Sequence, residues 1–389
     1  MVSSHGAQSP LGEIAARGPG QRLRPAAKVL PEQARAHNRA LVLQTLYHGG
    51  AMSRADLARE TGLTRVTISD LVAESIADGI IRELGIRESA GPGKPPIMVD
   101  IDREGHQIIG IDLSGTEVFA GAVLDLDGTR LVQRSLPVAA ELGAEEAYRA
   151  ALQLARELVA AATRPLLGVG VGSPGVVRSD GVILSAPNLS WHDFPLEHRM
   201  GADLGLPVLV GNDANAALLA EYTLGDAQAD VMLIRIGKGV GAGVITGGRA
   251  LIGARFAAGE IGHVVIGTDG GPRCACGRIG CLEAWVNVPR LTAATAASPE
   301  RRDEILTDAG TRLGVAVALI VAALDLAEVV IAGPGELFGG VFLEAATRAL
   351  HERTLEGVFA DVAIRLSRQS DIVERGAAVS VLSAQLGVS

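Results

Sequence analysis

One histidine and all three cysteines of this 389-residue chain lie within nineteen residues, at His263, Cys274, Cys276 and Cys281. One imidazole and three thiolates make a complete tetrahedral donor set for zinc. No position is left for a metal-bound water, so such a site is structural rather than catalytic. Gly277 and Gly280 let the loop fold tightly around an ion. The competing reading is three core thiols, since free cysteine is often buried. Pro272, Arg273 and the glycines around them carry no apolar period, which favours metal. Closely spaced cysteines behind an N-terminus with no charged-then-apolar leader pattern fit a reducing compartment, so a cytoplasmic protein is expected.

Two carboxylates bracket the same stretch, Glu260 and Glu283. Carboxylates accept from hydroxyl groups, and an imidazole that gives one nitrogen to a metal can donate from the other. A metal-pinned loop that gathers Glu260, His263 and Glu283 would therefore grip a sugar. Glu260-Ile261-Gly262-His263, followed by the Cys274–Glu283 run, resembles the signature of the ROK family of bacterial sugar kinases and sugar-responsive repressors. The resemblance implies an α/β chain with a two-lobed actin-like (ribonuclease-H-like, sugar-kinase) ATPase fold. Its small lobe would span 104–213 plus 373–389, and its large lobe 214–372.

The elements that must position these groups follow from the body's sequence. Gln107–Leu113 is an apolar strand run that opens onto Ser114-Gly115-Thr116. With Asp112 it resembles the family's first phosphate loop, although Ser114 and Glu117 depart from the kinase pattern. A helix is expected over 144–162 and a strand over 166–171. The strand leads to Ser173-Pro174-Gly175, at a strand's carboxyl end, where open α/β folds place ligands. Asn188 lies in a segment that resembles the family's sugar-contacting Asn-Leu-x-x-Trp. Asn212 and Asp213 precede an apolar helical run and read equally as a helix cap. By resemblance Asp213 contacts the sugar, and in a kinase it would be the general base. Strand 231–236 opens onto 237–243, which contains Lys238, Gly239 and Gly241 and resembles a second phosphate loop. The segment 328–336, with Pro334, resembles an adenosine-contacting turn. ATP and magnesium are implied only for a kinase.

Composition frames the rest. The chain has 49 glycines, where about 7% usage would give roughly 27. Many tight turns or close approaches are expected. Aromatics are only 3%, so the core must be aliphatic. The longest apolar run, 314–324, is too short to span a bilayer, and no membrane partner is expected. Net charge is −9, yet residues 22–97 carry eleven Lys and Arg against eight Asp and Glu. A mildly basic front on an acidic body fits a DNA-reading head, and fits a solvated helical domain almost as well.

Residues 1–30 are Gly-, Pro- and Ser-rich without periodicity and are expected to be disordered. In 31–103, Pro31 opens a first helix. Ser53, with Asp56 three residues on, caps a second, and Thr64 caps a third. Ala55, Leu57, Ala58, Leu63, Val66, Ile68, Leu71 and Val72 are expected to share a core. Helix, Gly-containing turn, helix is the helix-turn-helix pattern. Two short strands around 79–83 and 96–101 complete a wing, with 89–95 as its tip. Candidate DNA contacts are Ser53, Arg54, Thr64, Arg65, Thr67, Ser69 and Lys94. The reading is a sugar-responsive regulator, a homodimer or homotetramer on operator DNA. A sugar kinase with a DNA head, or a sensor of a sugar phosphate that uses Lys238, remain alternatives.

Overall fold

The structure, a computed structural model, describes residues 31–86, 96–139, 141–267 and 270–388. The 1–30 segment and the wing tip with Lys94 lie outside them.

Three helices open the chain: α1 (Pro31–Gly49), α2 (Arg54–Thr61) and α3 (Arg65–Ala77). Ser53 caps α2 by accepting from the Asp56 N–H, and the Asp56 carboxylate reaches back to the Ser53 N–H, a complete capping box. Thr64 caps α3 through the Thr67 N–H. A three-stranded antiparallel sheet follows, β1 (Met52–Ser53), β2 (Ile81–Ile86) and β3 (Ile97–Ile101), in the order β1-β3-β2. Leu57, Ile68, Leu71 and Val72 are buried as expected, but Ala55 is exposed and Val66 is 71% exposed. Val66 is the second residue of α3 and points away from the face that packs on α2.

Two further sheets have five strands each. The first contains β4 (Gln107–Asp112), β5 (Val118–Leu124), β6 (Arg130–Pro137), β7 (Leu166–Ser173) and β11 (Val208–Asn212), in the order β11-β7-β4-β5-β6. The second contains β12 (Val231–Ile236), β13 (Val240–Thr246), β14 (Arg249–Ala250), β15 (Glu328–Ala332) and β16 (Ala363–Leu366), in the order β14-β13-β12-β15-β16. In each, the first strand pairs antiparallel with the second and parallel with the fourth, and the fourth pairs parallel with the fifth. The two halves of the body therefore repeat one topology. A small antiparallel sheet, β8 (Val176–Val177), β9 (Ile183–Ala186) and β10 (Trp191–Phe194), lies between β7 and β11 in sequence.

Helices of the body are α4 (Ala144–Ala161), α5 (Leu196–Leu204), α6 (Asp213–Leu224), α7 (Leu282–Val286), α8 (Val288–Ala297), α9 (Arg302–Leu324), α10 (Gly335–Phe338), α11 (Val341–His351) and α12 (Ile372–Leu386). The helical stretch Pro299–Leu324 is longer than its apolar run suggested, and by length and composition alone it could cross a membrane. Its Leu306, Leu313, Val317 and Val321 are buried with Phe342 and Leu350 of α11, as in a core helix.

Helix α12 joins everything. A Cβ on Gly110 of β4 would lie 1.9 Å from the Glu374 carbonyl, and one on Gly170 of β7 would lie 1.9 Å from the Ala377 carbonyl. On its other side, a Cβ on Gly376 would lie 1.6 Å from the Ala216 carbonyl of α6. The far end of α12 enters the head. Ala378, Val381, Leu382 and Leu386 share one core with Val42, Leu46, Leu57, Leu71 and Val99. The Tyr47 hydroxyl donates to the Leu126 carbonyl at 2.8 Å across the same junction.

Gly376→Ala should cost about 3 kcal/mol or more through overpacking. Gly211→Ala, where nothing lies within 4 Å, should stay within about 0.5 kcal/mol. Because head and body share a core, thermal unfolding of the Gly376→Ala protein should shift as one transition. A separate, unshifted head transition would contradict the shared core.

Candidate functional site

A cleft of about 520 Å³ opens between residues that belong to the two halves of the body. Its lining comes from both halves: Gly115, Thr116, Gly175, Asn188, Asn212 and Asp213 from one, and Arg235, Lys238, Gly239, Glu260, His263 and Glu283 from the other.

Asn212 ends β11 and caps α6. Its side-chain oxygen accepts from the Ala214 and Asn215 N–H groups, and its amide donates to the Gly175 carbonyl at 2.9 Å. The cap reading is thus realised at a residue that also faces the cleft. Asp213 is the first residue of α6, where a carboxylate is favoured by the helix dipole. It is buried. One oxygen accepts from the Ala214 N–H, and the other from Arg235 Nη1 at 2.9 Å. Burial nevertheless pushes its carboxyl up to about 6, against the pull of Arg235.

The opposite wall is set by the 259–263 turn. Gly259 has φ +96°, and a Cβ there would lie 1.8 Å from the Ala242 carbonyl. A Cβ at Gly262 would lie 2.1 Å from the Val240 carbonyl. Both glycines let the turn lie against the backbone of β13, which aims Glu260 and His263 into the cleft. Burial pushes the Glu260 carboxyl up. Glu283, on α7, accepts from the Val240 N–H at 3.1 Å and is therefore fixed.

Behind this wall, His263, Cys274, Cys276 and Cys281 bring four donor atoms within 4.8 Å of one another. Cys274 Sγ lies 3.6 Å from His263 Nδ1, and Cys276 Sγ lies 3.7 Å from Cys281 Sγ. Sulfurs about 2.3 Å from a tetrahedral zinc stand roughly 3.8 Å apart, so the donors fit such an ion. Backbone bridges Val265–Cys281 and Arg273–Ile279 hold the loop around them.

Several expected residues have other duties. Ser173 is fully buried, and its hydroxyl donates to the Pro174 carbonyl instead of lining the cleft. The second loop is only the Gly237–Gly239 turn, because Val240–Thr246 is strand β13; Gly241, at the start of that strand, still lines the cleft. Asp112 accepts from the Ser114 N–H at 2.8 Å and lines a second cavity, of about 370 Å³, beside the Gly333-Pro334 turn. In the head, Ser53 is buried and its hydroxyl donates to Asp56 at 2.8 Å, which makes it a cap and not a free contact. Arg54 pairs with Glu83. Thr64, Arg65, Val66 and Ser69 are exposed at the start of α3, and the Thr67 hydroxyl lies 2.9 Å from that of Thr64. Arg235 was not anticipated. It interrupts an apolar strand run, which was the only sequence signal available.

A match to the ROK family covers residues 108–378. The chain belongs to the ROK family. It is 29% identical over 371 residues to the xylose repressor of Caldicellulosiruptor bescii, across 86% of this chain and 92% of that protein. The glucokinase of Thermotoga maritima is 36% identical over 182 residues, which is 46% of this chain and 56% of the kinase. A solved ROK family transcriptional regulator, a homologue of the E. coli MLC protein, is similar with a TM-score of 0.80 at 24% identity, across 91% of this chain and 98% of its own. The ROK hexokinase of Thermus thermophilus, at 29% identity, reaches a TM-score of 0.59 across 70% of this chain and 97% of its own. A span of 91% necessarily takes in winged-helix residues. The fold is thus a winged helix-turn-helix joined to the two-lobed actin-like ROK body.

Protein purified without chelator should carry one equivalent of metal by elemental analysis. Cys276→Ser, at the exposed member of the set, should lower that content. Metal-free protein with an intact fold would contradict the four-donor site.

Proposed function

We propose that this ROK protein is a sugar-responsive transcriptional repressor of carbohydrate genes. A sugar bound in the interlobe cleft lowers its affinity for operator DNA. The observation that carries this reading is the joining of cleft and head through α12. Its first turn abuts β4 and α6, whose N-terminal residue is Asp213. Its last turns lie in the core of the winged helix.

Within this reading, Asn188, Asp213, Glu260, His263 and Glu283 hold sugar hydroxyls. Zinc on His263, Cys274, Cys276 and Cys281 fixes the loop that presents Glu260 and Glu283. The set is closed, so zinc supplies rigidity and no reactive water. Exposed Arg65 and Ser69 read base edges in the major groove, and exposed Val66 suits a thymine methyl group. A homodimer or homotetramer would set two heads on a two-fold operator. Relative movement of the lobes changes their presentation, and couplings of about 1–3 kcal/mol release DNA 5- to 150-fold.

The test is an operator-binding titration against sugars, with and without ATP and magnesium. Asp213→Asn keeps shape and one acceptor but loses the charge. Hydrogen bonds to charged groups contribute about 1.5–3 kcal/mol, so the variant should need roughly ten- to a hundredfold more sugar to leave the operator. It should bind DNA normally without sugar. Arg65→Ala should weaken operator binding by about 1–3 kcal/mol. An unchanged sugar response in Asp213→Asn would remove Asp213 from the site. Turnover of ATP with that sugar by the wild type would replace the sensor with a kinase.

A further inference from the structure

Arg235 rises from β12 between the two cavities and lines both. Asp213 lines only the cleft, and Asp112 only the smaller cavity. The Arg235 guanidinium bridges them. Nη1 donates to Asp213 at 2.9 Å, while Nη2 donates to the Ser114 hydroxyl at 2.6 Å and stands 3.6 Å from Asp112 Oδ2. The Ser114 hydroxyl in turn donates to Asp112. Ser114 and Arg235 therefore form one interlocked unit with the two carboxylates.

Phosphoryl transfer would need the opposite arrangement. A nucleotide's terminal phosphate must pass from the Gly333-Pro334 side to a sugar hydroxyl beside Asp213, with a divalent cation between the carboxylates and the phosphate oxygens. Here the space shared by the two carboxylates is filled by a guanidinium, and the residues present do not fit a metal–nucleotide group. We infer that Arg235 is a built-in counter-cation standing where that group would lie. It determines that the cleft takes an uncharged polyhydroxyl ligand and neither a metal–nucleotide complex nor a sugar phosphate. This specificity rests on the sugar-sensor reading; the displacement of metal does not.

The surrounding charge agrees. Asp112, Asp213 and Glu374 crowd one arginine, and Glu260 and Glu283 add two more carboxylates on the cleft's far wall. Asp371, which also lines the smaller cavity, is paired with Arg130. Lys238 also lines the cleft, but it is exposed at its turn, where solvent and salt screen its charge. Burial pushes Glu374 up to about 7, with Asp112 adding to the effect. A phosphate that took the guanidinium would strip the cationic partner from Asp213, which is buried, and from Asp112, which is unfavourable.

The experiment uses the full-length protein and three forms: wild type, Arg235→Ala and Arg235→Lys. Manganese binding is read from the electron paramagnetic resonance of free Mn²⁺. Magnesium ADP, a panel of neutral aldoses and the corresponding sugar phosphates are read by calorimetry. The wild type should bind neither Mn²⁺ nor magnesium ADP at millimolar concentration, and should bind a neutral sugar at least about tenfold more tightly than its phosphate. Arg235→Ala should gain Mn²⁺ affinity by about tenfold or more, because Asp112 and Asp213 are freed as oxygen ligands. Arg235→Lys, which keeps the charge, should not gain it. If Arg235→Ala does not fold, the wild-type and lysine arms decide. Wild-type binding of Mn²⁺ or magnesium ADP, equal Mn²⁺ affinity in wild type and Arg235→Ala, or a preference for the sugar phosphate would overturn the inference. A panel in which no sugar of either kind binds would overturn the sensor reading, while the manganese arm still judges Arg235.

Discussion

The structure depends on the seating of one helix. Backbone-to-backbone contact is possible between α12 and both β4 and β7 only because Gly110 and Gly170 present no side chain, and between α12 and α6 only because Gly376 does not. Contacts at this distance leave no slack, since protein interiors are close-packed and respond to shifts of a fraction of an ångström. Helix α12 cannot tilt without moving β4, β7 or α6. Its C-terminal half is part of the head's core, so it cannot tilt without moving the winged helix either.

That constraint gives the cleft its reach. Asp213 opens α6, the helix against which Gly376 packs. Arg235 crosses from the second sheet to hold Asp213 and Ser114, so one guanidinium ties the two repeated halves together across the cleft. The metal-type loop supplies the other wall with Glu260 and Glu283. A ligand that touches Asp213 and Glu260 together therefore spans both halves. The contact route from there to the head runs through Ala216, Gly376 and the last turns of α12. Coupling between distant sites is carried by packed side chains and rigid elements, and α12 is the element that spans this route.

Much of this was legible in the sequence where a signal is local. Ser53 and Thr64 cap helices because a short polar side chain reaches the next turn's N–H, and those starts fell within a residue of the structure. The four metal-type donors announced themselves by spacing, whereas the close approach of Gly259 and Gly262 to β13 is seen only in the fold. Other features are products of tertiary packing. Val66 has a core residue's chemistry on an exposed face. Three glycines in 239–243 suggested a loop, whereas Gly241 and Gly243 lie in β13 against α6, with their would-be Cβ atoms 3.3 Å from Ala214 and 2.9 Å from Asn215 and Leu218. Ser173 failed because strand register, not residue type, decides which way it points. Arg235 finds its partners 22 and 121 residues away, at separations that no local pattern encodes.

If a sugar in the cleft is felt by the head through α12, the effect must be visible along that helix. Hydrogen–deuterium exchange of the full-length protein, with and without a saturating neutral sugar, measures this most directly. Protection should change not only at 212–215 and 259–263 but also along Ile372–Leu386 and in the Pro31–Gly49 helix of the head. Changes confined to the cleft, with α12 and the head unaltered while the sugar still releases operator DNA, would contradict coupling through α12.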